Sequence, residues 1–327
     1  MKRIFLFVFV LLGAVTTISA QSGISRLDLE VRGDWQYDSF DGEPFRVNNS
    51  SFQGKFANFR MDGTLAENLT YSIRYRINKV QSSAFAATDW ATINYSLDNW
   101  DLSAGKQVVA IGGYEYDRAP IDIYFASEYW QHIACYQFGV SAAYKFNNSL
   151  GSKLLGQICQ SPYDFANEGL YAYNLMYMDA GNLSSLNLLE YAPGKYIGYV
   201  ALGIREEFGP VALEWDVMDR YDIGNNATSF STMLDVNWKM NDKLRFFAHG
   251  SYDENRAEVM MDPTVRPVTS IWNVGGGVEY FPYGAKNLRI HAASNYVFGK
   301  NNNGVLRSGD FVFQMGVTWR LNLIGNN

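Results

Sequence analysis

"RLDLEVRGDWQYD", residues 26–38, places a charged or polar side chain at almost every second position. Leu27, Leu29, Val31, Trp35 and Tyr37 interleave with Arg26, Asp28, Glu30, Arg32, Asp34 and Gln36. A strand alternates its side chains between two faces, so this stretch has one apolar face and one of dense charge. A soluble sheet would turn the apolar face to a core. A membrane barrel would turn it to lipid and keep the charge for its lumen.

The alternation recurs in "YSIRYRIN" (71–78), "FGVSAAYKF" (138–146) and "FSTMLDVNWKM" (230–240). It is clearest at the end, where Phe311, Phe313, Met315, Val317, Trp319, Leu321 and Leu323 alternate with Asp310, Gln314, Thr318, Arg320 and Asn322. Segmenting at turn residues gives sixteen strands, near 25–38, 51–64, 70–80, 90–97, 100–110, 135–146, 152–161, 170–179, 183–191, 197–208, 211–221, 229–240, 243–253, 269–281, 287–298 and 309–323. "LSSLNLLEY" (183–191) alternates poorly. Short connections, such as Asp98-Asn99 and Gly209-Pro210, alternate with longer ones such as 39–50, 111–134 and 254–268; Ala192–Tyr196 is a short exception.

These features predict an all-β chain, a 16-stranded antiparallel transmembrane β-barrel, with short turns and both termini on the periplasmic side. A closed barrel satisfies its backbone hydrogen bonds internally and can sit in lipid. Leu29, Ile73, Tyr75, Tyr144 and Val317 are expected to face lipid, and Arg32, Arg74 and Arg320 water. Trp35, Tyr37, Tyr221 and Phe298, near strand ends, fit interfacial girdles. Sixteen strands are too many for side chains to fill the interior, so the lumen should hold water. Aromatics are 16% of the residues. A soluble sandwich or propeller would favour Val, Leu and Ile at the apolar positions, and no blade-length repeat is visible. After residue 20 no apolar run approaches the roughly 20 residues of a spanning helix.

The opening "MKRIFLFVFVLLGAVTTISAQSG" reads as a signal peptide over residues 1–20, leaving 21–327 as the barrel. Export and barrel together place the chain in the outer membrane of a Gram-negative-type bacterium, with outer-membrane lipid as a partner. The whole chain carries a net charge of −6, and loss of Lys2 and Arg3 makes it more acidic. That argues against nucleic acid as a partner. Cys135 and Cys159 do not make a disulfide framework. A five-residue turn at 147–151 would set Cys135 opposite Tyr163, about four residues from Cys159, so two free thiols are expected.

"KFANFRMDGTLAENLTYSIRYRIN" (55–78) resembles the second and third strands of the phosphate-selective porin O/P family. "WDLSAGKQ" (100–107) followed by "GGYEYDRAPIDIYF" (112–125) resembles that family's fifth strand running into an inward-folded third long loop. The resemblance implies a sixteen-stranded general or anion-preferring porin that passes small hydrophilic solutes and ions, phosphate among the candidates, and forms a homotrimer. It also implies that residues 111–134 make a constriction, carrying Glu115, Asp117, Arg118, Asp122 and Glu128 among many aromatics.

On the inward parity, the first three strands project Arg26, Arg32, Arg60, Arg74 and Arg76. A basic wall facing an acidic loop would set up a transverse field. The bland alternative is that Asp28, Glu30, Asp34 and Asp62, on the same faces, pair with these bases. Four loop acids against Arg118 predict weak charge preference overall, with neutralisation of Arg74 and Arg76 shifting it toward cations. Lys106 is ambiguous in facing.

No cofactor or metal is expected, and no enzyme: G-x-S-x-G, H-E-x-x-H and cysteine-pair metal spacings are missing. His132, His249 and His291 are far apart, although His249 and Asp253 share an inward face and could serve a barrel hydrolase. Transport of lipid or another hydrophobic compound is the alternative function. It would need an N-terminal plug, yet the first strand begins close to the expected mature end.

Overall fold

The computed structural model describes residues 23–39, 50–79, 84–165, 168–258, 262–284, 287–302 and 306–325. The segment read as a signal peptide lies outside the described residues. The chain forms β1 (Gly23–Ser39), β2 (Ser50–Ala66), β3 (Leu69–Arg76), β4 (Thr88–Leu97), β5 (Trp100–Val108), β6 (Tyr136–Lys145), β7 (Lys153–Gln160) and β8 (Tyr171–Met178). It continues with β9 (Asn182–Ala192), β10 (Lys195–Phe208), β11 (Val211–Asp222), β12 (Ala227–Lys239), β13 (Leu244–Asn255), β14 (Thr269–Tyr280), β15 (Leu288–Lys300) and β16 (Phe311–Ile324). Every strand is antiparallel to its chain neighbours, and β1 pairs with β16 to close the ring. The expected strand ends agree to about two residues except at β3, which stops at Arg76 rather than residue 80.

Parity decides what each strand shows to each side. Leu29 is in register with Phe59 and Leu321, Ile73 with Met61, Tyr75 with Phe59, Tyr144 with Trp100 and Leu154, and Val317 with Ile290. These residues form one continuous apolar outer surface, on which Val200, Leu202, Ile158 and Leu186 are about half exposed. Lys106 falls on this outer face too, in register with Ala91 and Phe138. Arg32 and Arg74 lie on the opposite, inner face and are buried, with Arg320 beside them.

Aromatic side chains gather into two belts. Trp35 packs on Phe313, and Trp272 on Tyr252 and Phe298, near the long-loop ends of their strands. Trp100 packs on Tyr144, and Trp238 on Phe246, near the short-turn ends. On β14, Trp272 and Tyr280 lie in opposite belts, about 27 Å apart along the strand at a typical strand rise. A tilted strand of that length suits an apolar band about 25 Å tall flanked by aromatic girdles.

Candidate functional site

The connection between β5 and β6, residues 109–135, lies against the inner face of the barrel. It contains α1 (Tyr114–Asp117), a single 3-10 turn (Pro120–Asp122) and α2 (Glu128–His132). Its apolar residues Val109, Ile111, Tyr116, Tyr129 and Ile133 pack on inner-face residues Leu189, Ile197, Tyr199, Ala201, Met218 and Met233 of β9–β12. Burying this many apolar side chains inside the ring is what holds the segment down, at roughly 25 cal/mol per Å² of apolar surface.

Polar contacts fix where it runs. Gln157 of β7 accepts a bond from the Ala110 N–H at 2.8 Å, and Asn187 of β9 donates to the Ala110 carbonyl at 2.7 Å. Asp216 of β11 accepts from the N–H groups of Tyr114 and Glu115 at 2.8 and 2.7 Å. Asp253 of β13 does the same for Glu128 and Tyr129 at 2.8 and 3.3 Å. Each carboxylate thus meets the unpaired N–H groups of a first helical turn, where negative charge is favoured. Asn273 of β14 and Gln314 of β16 donate to the carbonyls of Ala126 and Tyr124, and Arg32 of β1 donates to those of Ile121 and Ile123. "GG" at 112–113 permits the approach: Gly112 has φ of 79°, and a Cβ on Gly113 would lie 2.2 Å from Asp216 Oδ1.

The five loop residues read as a charged constriction are placed in different ways. Glu115 is buried and accepts from the Ser127 N–H and hydroxyl at 2.8 and 2.6 Å. Burial pushes its carboxyl up to about 7, against the pull of His249 and of those hydrogen bonds. Glu128 is buried, and its carboxylate accepts from the Leu306 N–H at 3.1 Å. Asp122 bridges Arg289 and Arg320 at 2.9 and 2.8 Å; burial alone would raise it, but the two guanidiniums outweigh that and hold it below the usual carboxylate range. Arg118 pairs with Glu214 of β11, and with Asp235 of β12 at 3.1 Å. Asp117 is the exposed member. Four acids in the sequence therefore do not amount to four charges facing water.

The five arginines of β1–β3 divide as well. Arg32, paired with Asp34 at 2.7 Å, is taken up by the loop carbonyls, and Arg74 is buried between Glu30 and Asp89. Arg26, Arg60 and Arg76 each pair with a carboxylate, of Asp28, Asp62 and Asp89. Their side chains are 44, 32 and 20% exposed, against 6, 21 and 6% for those partners. Arginine is the longer side chain, so the guanidiniums overlie the acids. Arg60 and Arg74 also lie over the Trp90 ring, and Arg76 over Phe56.

His249 and Asp253 do not pair. The histidine Nδ1 sits 3.0 Å from Asp235, whereas Asp253 is occupied by the loop N–H groups and the Ser231 hydroxyl. Gln157, Asn187, Asp216, Asn273 and Gln314 were not singled out by sequence reasoning; inner-face parity was their only signal. The thiols of Cys135 and Cys159 are free. Gly139 is in register with Cys159, which sets Cys135 four positions further on. Two thiols are expected to alkylate in denaturant without reductant. In the native protein both should react slowly, because Cys159 is buried and burial pushes Cys135 up to about 11.

The family model for phosphate-selective porins O and P matches residues 26–188, from β1 into β9. No curated relative matches the chain. Among solved structures, an anion-selective porin from Comamonas acidovorans superposes with a TM-score of 0.64 at 12% identity, covering 92% of this chain and 100% of that one. The outer-membrane channel DcaP of Acinetobacter baumannii gives 0.66 at 12%, covering 93% and 99%. The trimer form of OmpT, an outer-membrane protein of Vibrio cholerae, gives 0.59 at 10%, covering 92% and 100%. At such identities the superpositions speak for the fold alone. Neither they nor the polar inner face favours lipid transport. A closed ring with an apolar exterior and a charged interior is a conduit through a membrane, and with the family match it shows that this chain belongs to the phosphate-selective porin O and P family, outer-membrane porins through which small hydrophilic solutes diffuse passively.

Proposed function

We propose that the pore prefers anions without being dedicated to phosphate. The observation that carries this is the layering on β1–β4: guanidiniums of Arg26, Arg60 and Arg76 stand nearer the water than the carboxylates beneath them. Opposite that wall, residues 109–135 narrow the lumen and present Asp117 as their exposed acid. A passing ion meets a basic surface on one side and little opposing charge on the other. Because each of these arginines already shares a carboxylate, none is wholly available to strip the water from a phosphate. The anion-selective porin of Comamonas acidovorans lends this reading support by its fold.

Planar-bilayer recordings in a KCl gradient test it. The wild type is expected to reverse on the anion side, and Arg60→Gln with Arg76→Gln should lower the anion-to-cation permeability ratio by roughly three- to tenfold. Chloride current blocked by low phosphate would point instead to a phosphate channel, and a cation-side reversal would sink the proposal. The reading includes export through residues 1–20, a lipid-embedded homotrimer and no catalysis, since His249 and Asp253 serve wall and loop contacts. For the trimer, β3, β7 and β8 have only eight residues each. A tilted strand needs about 9–11 residues to cross, and packing against another copy relieves such a mismatch.

A further inference from the structure

We infer that the lumen between residues 109–135 and the short-turn mouth binds organic anions carrying a flat apolar ring, the aromatic carboxylates being the simplest of that class; this rests on the anion preference proposed above. A cavity of about 590 Å³ opens there, reaching from the loop to Gly209-Pro210. Its wall includes rings that an ion-conducting pore does not need. Phe247 of β13 points inward and stacks on Tyr124 with centroids 4.9 Å apart and planes 12° from parallel. Phe125 lies 6.1 Å from Phe247 and edge-on to His249 at 5.3 Å. All three rings are only partly buried and line the cavity. Apolar surface left facing a water-filled passage is unfavourable in the empty pore, and such patches mark places where something apolar rests.

The second observation is a pair of like charges. Lys239 of β12 and Arg245 of β13 are directly opposite in register on the inner face. Cations placed so are mutually destabilising. Their side chains are 61 and 34% exposed, and both line the same cavity. Lys239 reaches Asp242 in the turn at 2.8 Å. Arg245 approaches Glu279 at 3.2 Å, but that carboxylate is shared with Arg289 at 3.0 Å and the Tyr124 hydroxyl at 2.7 Å. Arg245 thus shares its carboxylate and the Lys239 pair is exposed to water, and an anion between the two cations would offset their repulsion. Arg245 and Phe247 are two residues apart on one strand, so cations and ring platform are separated by roughly 7 Å. A carboxylate held by Lys239 and Arg245 would therefore lay an attached ring on Phe247 and Phe125.

Benzoate and acetate, added separately to wild-type channels in planar bilayers with KCl, provide the test. Benzoate is expected to block the chloride current at roughly tenfold lower concentration than acetate, the effect of one well-packed ring. Phe247→Leu should erase that difference, Phe247→Tyr should keep it, and Lys239→Gln with Arg245→Gln should weaken benzoate block by roughly tenfold or more. Equal potency of the two anions, or a Phe247→Leu channel that still discriminates, would overturn the site. Reversal potentials in KCl separate the two ideas: an anion-preferring channel with equal benzoate and acetate block rejects the site alone, and a cation-preferring channel rejects the reading beneath it.

Discussion

Alanine at Asp216 or at Asp253 is expected to unseat the loop while leaving the barrel closed. Each carboxylate accepts from two backbone N–H groups at the start of a short helix, and Asp253 also takes the Ser231 hydroxyl at 2.5 Å. Removing it leaves buried donors without partners, at about 1–3 kcal/mol each, so roughly 3–5 kcal/mol is lost from the seating of residues 109–135. Asparagine keeps one acceptor of much the same size, so Asp216→Asn should be milder. Two readouts check this. Limited proteolysis of the folded barrel should cut within the loop in the alanine variants, and single-channel records should grow noisy or change conductance. Wild-type resistance to protease and quiet, unchanged channels in Asp216→Ala would show that apolar packing alone seats the segment.

Raising the pH through neutrality is expected to loosen the same segment. Glu115 sits at about 7 because burial disfavours its charged form; released into water it would titrate near its ordinary value of 4.5. The seated loop therefore holds a proton that the released loop gives up. Stability from this group is complete below about 4.5 and is lost as pH rises through about 7, a change of about 3 kcal/mol. The groups around it are the Ser127 N–H and hydroxyl, His249 from β13 with Nε2 4.0 Å away, Asp235 from β12, and Asp216 from β11, which holds the Glu115 N–H. Loop cleavage and current noise, followed from pH 5 to about 9, should climb from about 5 to about 7 and level off above it. Glu115→Gln should flatten the profile. A rise on acidification, or an unchanged profile in Glu115→Gln, would assign the pH response to another group.

The wall was legible in the sequence because lipid and water impose period two on every strand, and that signal is local. β9 shows where locality ends. Leu186 and Leu188 face lipid, but Leu183 and Leu189, on the inner parity, are buried beneath the loop. Both faces of β9 carry leucines, and Ser185 and Asn187 share the inner one, which is why "LSSLNLLEY" alternates poorly. The charge state of the pore was not legible for a related reason. Whether Asp122 or Glu128 meets water depends on Arg289, Arg320 and the Leu306 N–H, more than 160 positions away in the chain. Counting acids in a loop says nothing of which are already satisfied. Arg32 was read as part of a basic lining because its parity is inward. It is inward, but it spends its donors on Asp34 and on loop carbonyls.

The pairing of Leu27–Ser39 with Phe311–Ile324 has a consequence for how the chain is made. The contact that completes the ring joins segments nearly the whole chain apart, and such distant pairings form late and slowly. Until β16 arrives, every partial sheet carries two open edges, each a template for another chain. No shorter stretch makes a smaller pore in the meantime. The nascent protein has to be kept apart from its copies until its last strand is synthesised and delivered, so premature termination yields an adhesive fragment rather than a narrower channel.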